Sequence, residues 1–234
     1  MFGQQDSHTH HETGTVEVGQ VNFGDLRRLE PLTRSFGYDR GQPIDRYYIE
    51  KFLNQYSENI SGHVVEIGDD RYTKMFGGER ITRSEVLDQA HPDSNPTIIA
   101  NLTFADHVPS NNFDCIIITQ TLQFIYDVHA AVRTLHRILK PGGVLLASLP
   151  TLSPICRYDM DRWGDYWRFT SAAANKLFGD VFSAGNLQVN VHGNVLVAMA
   201  FLLGMASEEL TSEELDFKDP DYETLITLRA VKAG

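Results

Sequence analysis

Past residue 60, short apolar runs alternate with stretches that repeat at helical spacing. His63 to Ile67 reads as a strand ending at Gly68, Arg80 to Val86 as a second and Thr97 to Leu102 as a third. Phe113 to Thr119 is apolar and rich in isoleucine, as expected of a strand buried on both faces. Asp127 to Leu139 carries a helical apolar period, and Lys140-Pro141-Gly142-Gly143 stops it. Val144 to Leu149 is a fifth strand. Leu187 to His192, a helix from Val195 to about Leu210, and Leu225 to Lys232 then give strand, helix and strand. Upstream, Ile44 to Leu53 has the spacing of an amphipathic helix, ending near Gly62. This alternation predicts an α/β fold, a doubly wound seven-stranded and mostly parallel sheet with right-handed crossovers.

The remaining segments suggest a division into three parts. Residues 1–22 are polar, Gly/His/Thr-rich and without apolar period, which predicts a disordered or loosely ordered tail. His8, His10 and His11 read as solvated, not as a metal site. Residues 23–62 hold an arginine-rich stretch broken by Pro31, Gly37, Gly41 and Pro43, then the helix; together they read as an N-terminal helical lid. Residues 63–234 form the α/β domain.

Composition narrows the classes. Of 234 residues, 20 are Lys or Arg and 31 Asp or Glu, for a net charge of −11. Eight acids and one base, Lys218, lie between Ser207 and Glu223, so −7 of that total sits in one segment, expected to be a solvated helix and loop. A net-negative chain gains nothing from phosphate backbones, so nucleic acid is disfavoured as a substrate. No apolar run approaches the roughly 20 residues of a membrane span. The N-terminus lacks the basic-then-apolar order of a signal peptide, which points to the cytoplasm. Cys115 and Cys156 suggest neither a disulfide framework nor a metal site.

Ligands of open α/β sheets lie beyond the carboxyl ends of the strands. The first such loop, Gly68-Asp69-Asp70-Arg71-Tyr72, has one glycine followed by two carboxylates. A pyrophosphate needs glycines and free amides there, and two negative charges repel it, so a nicotinamide dinucleotide is disfavoured. S-adenosylmethionine carries a sulfonium and an ammonium, which an acidic loop accommodates. Three blocks carry a specific likeness: His63-Val64-Val65-Glu66-Ile67-Gly68, Phe113 to Gln123, and Leu139-Lys140-Pro141-Gly142-Gly143-Val144-Leu145-Leu146. Together they resemble the class I S-adenosylmethionine-dependent methyltransferases, and the second half resembles the type 11 methyltransferase family. Asp165-Tyr166-Trp167-Arg168-Phe169-Thr170 is similar to a segment of bacterial members associated with glycosyltransferases.

The resemblance implies a Rossmann-like methyltransferase fold and S-adenosylmethionine as cofactor. It places Glu66, Gly68 and Asp69 under the methionine part and Glu85, ending the second strand, on the ribose hydroxyls. Asn101 and Leu102 would meet the adenine, Gln120 would close the pocket, and Arg46 or Tyr47 would hold the cofactor carboxylate. Asp45 is read more simply as a helix cap. Asp70 and Tyr72 stand where relatives carry further glycines, and Gln123-Phe124 where they often carry Glu-His. A scaffold that kept the fold and lost catalysis is the alternative those departures motivate.

An oxygen acceptor must lose a proton to His, Asp or Glu. Candidates after the fifth strand are Asp159, Asp161, Asp165, Tyr166 and Arg168, with Asp161, Asp165 and Arg168 favoured. The interleaving of Trp163, Tyr166 and Trp167 with carboxylates suits a sugar. The expected reaction is O-methylation of a saccharide or other small polar metabolite, with a glycosyltransferase-pathway partner implied.

Overall fold

The computed structural model describes residues 16–89 and 95–234. Most of the expected 1–22 tail, including its three histidines, therefore lies outside the described residues. The chain divides into two units, 1–31 and 32–234. The larger one thus takes in residues 32–62 of the expected lid together with the α/β domain.

Seven strands form one sheet: β1 (Gly62–Ile67), β2 (Ile81–Asp88), β3 (Ile98–Ile99), β4 (Phe113–Thr119), β5 (Leu139–Pro150), β6 (Leu187–His192) and β7 (Leu225–Val231). Their order is β3-β2-β1-β4-β5-β7-β6. β1 to β5 are parallel, and β7 runs antiparallel between β5 and β6. The helices are α1 (Ile44–Gln55), α2 (Arg71–Gly77), α3 (Val128–Ile138), α4 (Arg157–Met160), α5 (Ser171–Phe182), α6 (Val195–Leu203) and α7 (Ser212–Asp216).

Several boundaries differ from the reading of the sequence: α1 ends at Gln55 and not near Gly62, and β5 begins at Leu139, so Lys140-Pro141-Gly142-Gly143 falls inside the strand. β2 continues to Asp88, two residues beyond Val86, because Leu87 is still buried against the sheet's core. β3 keeps only two of its six expected residues. α6 stops at Leu203, where Gly204 takes a left-handed φ of 76° and the Thr33 carbonyl leaves no room for a Cβ.

The two-residue strand period sorts the core. Ile116 and Ile118 of β4 pack with α3 and α5 on one face, while Cys115 and Ile117 pack with α1 and α6 on the other. Side chains cap the helices: Asp127 accepts from Ala130 N, Thr170 from Ala173 N and Asn194 from Val197 N. Asp45 is not a cap; α1 is preceded by Pro43 with no side-chain cap. Among the described residues no helix is long and apolar enough to cross a membrane.

The acidic segment is more engaged than a solvated loop. Glu208 accepts from Gln42 N (3.0 Å) and Glu209 pairs with Arg40, so the segment ties residues 40–42 to the end of α6. Asp216 accepts from Lys51 Nζ at 2.7 Å, and Glu223 from Ser171 N at 2.9 Å.

Candidate functional site

β1 and β4 are neighbours although β2 and β3 lie between them in sequence, so the chain leaves the sheet in opposite directions at their carboxyl ends. That divergence opens a crevice. A cavity of about 340 Å³ fills it. Its walls are the strand ends Ile67-Gly68, Leu87-Asp88-Gln89 and Gln120-Thr121, with Ala100 and Leu102 beyond β3 and Tyr158, Asp159 and Trp163 from the segment after β5. Gly68 has φ 95°, and a Cβ there would meet no protein atom within 4 Å. Glycine thus supplies both the left-handed turn and the open space. Gly68 N donates to Leu87 O (3.1 Å), which sets this turn beside the Asp88 carboxylate.

A second cavity, about 210 Å³, adjoins the first and shares Gln120, Phe124 and Asp159 with it. Phe36 and Tyr38 come from the lid, Asp45 and Arg46 from α1, Phe201 from α6, and Ser153, Pro154, Cys156 and Asp165 from the segment after β5. Gln120 has φ 46°, a left-handed backbone that a side-chain-bearing residue adopts at a cost of about 1 kcal/mol or more. Its amide donates to Ser148 Oγ (3.1 Å), and its Nε2 reaches Asp45 Oδ2 at 3.5 Å. Burial pushes the Asp45 carboxyl up from its ordinary range, against the pull of Arg46. Arg46 clamps two tyrosines, donating to Tyr38 Oη (3.0 Å) and Tyr72 Oη (3.2 Å). Gln123 is buried, and its Oε1 has no hydrogen-bond partner among the described residues.

The structure brings Gly68, Leu102 and Gln120 together on the first cavity and puts Asp165 on the second. The other expected residues stand elsewhere. Glu85 is the main correction. It pairs with Val65 in mid-strand, three residues before Asp88, or roughly 10 Å back along the sheet. There it meets Arg83 and His63 Nε2 (3.7 Å). Burial works to raise its pKa, but the Thr97 hydroxyl, Arg83 and His63 outweigh it and hold the carboxyl below its ordinary value. The carboxylate at the strand's end is Asp88. Reading Leu87 as the last buried strand residue would have found it.

Glu66 is buried beneath the loop and does not line either cavity. It accepts from Tyr72 N (3.1 Å), Thr73 N (2.7 Å) and Thr73 Oγ1 (2.8 Å), which anchors α2 and shapes the Gly68 turn from below. Burial raises its pKa to about 7, with those hydrogen bonds opposing. Asp69 is exposed and accepts from Arg71 N (3.0 Å). Tyr72, at a position where relatives carry glycine, is buried in the core under α1 and leaves the cavity clear. Asn101 borders a neighbouring depression, its Oδ1 accepting from Thr103 N (2.9 Å) and its Nδ2 donating to Gln89 (3.3 Å). Tyr47 points away, donating to Asp216 Oδ1 at 3.1 Å.

The favoured catalytic trio also separates. Asp161 is exposed and 4.0 Å from Arg157, lining neither cavity. Arg168 grips its own loop. It donates to both Asp165 oxygens (2.5 and 3.0 Å) and to Pro154 O (3.1 Å). Asp165 further accepts from Cys156 N at 3.3 Å. Trp167 is a brace too, its Nε1 donating to Ile125 O at 3.1 Å. Among the histidines, His192 stacks on Tyr48 and bonds Thr227 Oγ1 (2.8 Å), and burial lowers its pKa to about 4. His129 is exposed and His136 packs edge-on against Phe182.

A seven-stranded sheet of this order, with a glycine turn and a strand-end carboxylate around one crevice, is the class I S-adenosylmethionine-dependent methyltransferase architecture. A family described as "Methyltransferase domain" matches residues 44–193, and the chain belongs to it. The ubiquinone/menaquinone biosynthesis C-methyltransferase UbiE of Escherichia coli is 34% identical over 95 residues, 39% of this chain and 38% of that one. The chain thus aligns with well under half of that relative's length. Solved structures share the fold. An S-adenosylmethionine-dependent methyltransferase from Mesorhizobium loti has a TM-score of 0.51 at 18% identity, covering 81% of this chain and 98% of its own. The N-methyltransferase NodS from Bradyrhizobium japonicum, solved with S-adenosylhomocysteine, has a TM-score of 0.51 at 14% identity, covering 87% and 95%.

Proposed function

We propose that this chain transfers a methyl group from S-adenosylmethionine in the first cavity to a hydroxyl of a saccharide or other small polar metabolite in the second. One observation carries the reading: two cavities of unlike chemistry meet at Gln120, Phe124 and Asp159. The first suits the donor. Leu87, Ala100, Leu102 and Ile125 offer an apolar slot for a flat base, and Asp88 a carboxylate that accepts two hydrogen bonds from a ribose diol. The empty space over Gly68 admits close approach of a ligand to the backbone. When bound, S-adenosylmethionine supplies an electrophilic methyl group on a sulfonium.

The second cavity sets acceptors in a mostly apolar lining. The carboxylates of Asp45 and Asp159 favour a ligand with O–H or N–H donors. Phe36, Tyr38 and Phe201 offer apolar faces, so a polyol with a flat apolar side fits this wall. Holding the two partners in adjoining cavities supplies orientation, a large part of the rate of such a displacement. The departure at Tyr72 no longer argues for a degenerate scaffold, since the ring is buried away from the cavity. The cytoplasmic setting rests on the order of residues at the N-terminus, and the glycosyltransferase-pathway partner on the sequence resemblance.

Calorimetry with S-adenosylhomocysteine tests the donor half, and methyl transfer from labelled S-adenosylmethionine to a panel of monosaccharides and nucleotide sugars tests the acceptor half. Saturable binding and labelled sugar are expected. No heat at millimolar ligand overturns the donor reading, and transfer confined to non-hydroxyl acceptors overturns the O-directed one.

A further inference from the structure

The acceptor's proton has to go somewhere, and the segment after β5 that bears the candidates holds several acids. Among the described residues four carboxylates line one cavity or the other: Asp45, Asp88, Asp159 and Asp165. Asp88 belongs to the donor cavity alone, at the end of β2. Asp165 lines only the acceptor cavity and has both oxygens committed, to Arg168 and the Cys156 amide. Asp45 also lines only the acceptor cavity, with Gln120 Nε2 at 3.5 Å and Arg46 Nε at 3.8 Å. Asp159 lines both.

The backbone that carries Asp159 is held in place. The residue sits in the single turn of α4, where its carbonyl accepts from Arg162 N (3.1 Å) and Trp163 N (2.7 Å). Tyr166 N donates to Gln123 O (2.8 Å), which seats the segment after β5 on the loop after β4. The Cys156 thiol is hydrogen-bonded to the Asp159 carboxylate, and burial together with that bond pushes the thiol up to about 11. The thiol therefore stays protonated at neutral pH and does not compete as a base.

Resting on the reading of the two cavities as donor and acceptor sites, we propose that Asp159 flanks the transferred methyl group and takes the acceptor's proton. In this step an oxygen lone pair of the acceptor forms the new C–O bond as the methyl C–S bond breaks. The bonding pair stays on sulfur, which becomes a neutral thioether, and the hydroxyl proton passes to the Asp159 carboxylate. Sulfonium, alcohol and carboxylate become thioether, methyl ether and carboxylic acid, so charge and atoms balance.

Sinefungin, which carries a protonated amine where S-adenosylmethionine carries its S-methyl, tests this without any acceptor. A carboxylate facing the methyl position attracts that amine, whereas S-adenosylhomocysteine has nothing there. Calorimetry on the full chain should show the wild type preferring sinefungin by about tenfold or more. Asp159→Asn should remove most of that preference while changing S-adenosylhomocysteine affinity less than about twofold. Asp159→Glu, which keeps the charge, and Asp161→Asn, which alters an exposed acid, should both retain it. A preference undiminished in Asp159→Asn, or none in the wild type while S-adenosylhomocysteine binds, overturns the role of Asp159 alone. Failure of both ligands to bind folded wild-type protein overturns the two-cavity reading, and this proposal with it.

Discussion

The two adjoining cavities are built in opposite ways. The first cavity, proposed for the donor, is framed by strand ends, Gly68, Asp88 and Gln120, set by or just beyond the ladder of a parallel sheet. The second, proposed for the acceptor, is assembled from lid, α1, α6 and the segment after β5, held together by side-chain bonds such as Arg46–Tyr38 and Arg168–Asp165. Positions in the first depend on register, those in the second on contacts between distant segments. A single substitution should therefore damage one cavity and spare the other.

The largest effect is expected at Gly68. Gly68→Val forces a β-branched residue to φ 95° and fills the space over the turn. Loss of S-adenosylhomocysteine binding by at least about 100-fold is expected in calorimetry, with about 1–2 kcal/mol of stability lost. An intact affinity would show that the turn is not part of the donor site.

Next comes the buried base of the same loop. The folded pKa of Glu66, about 7, lies above its ordinary 4.5. Its contribution to stability is therefore complete below about pH 4.5 and lost as pH rises through 7, on the order of 3 kcal/mol across that window. Chemical denaturation of Glu66→Gln should show a flatter profile between pH 5 and 8 than the wild type. Parallel profiles would contradict the buried, protonatable role of this residue.

Arg168→Ala probes the acceptor side. It leaves Asp165 buried without its cation, so about 2–3 kcal/mol of stability should be lost. Affinity for S-adenosylhomocysteine should stay within about twofold. An equal loss of cofactor binding would mean the two cavities are not separable. The smallest effect belongs to Arg40→Ala. Its partner Glu209 is held at a pKa of about 2 chiefly by that guanidinium, yet the pair is on the surface. Only a small shift of the denaturation midpoint is expected, because solvent screens an exposed pair.

This contrast also explains what could be read from the sequence. Phe113 to Thr119 and Val144 to Leu149 announce their strands because burial on both faces demands unbroken apolar runs. Gly68 and Gln120 follow directly, being the first residues beyond such strands. Asp88 is harder to read, because β2 has an exposed first half and a short apolar end that places its boundary two residues early. The acceptor side depends on tertiary contacts that no local period records. Nothing in the spacing says that Arg168 turns back on Asp165, or that Asp159 reaches both cavities while Asp161, two residues on, faces solvent.

The assignment of the strand-end carboxylate is the central claim, and one paired titration tests it. S-adenosylhomocysteine is titrated into Asp88→Asn and Glu85→Gln alongside the wild type. Asp88→Asn should weaken binding by about 10- to 100-fold, the loss of hydrogen bonds to a charged acceptor, while Glu85→Gln stays within about twofold of wild type. The reverse pattern, with Glu85→Gln crippled and Asp88→Asn unaffected, would contradict the account.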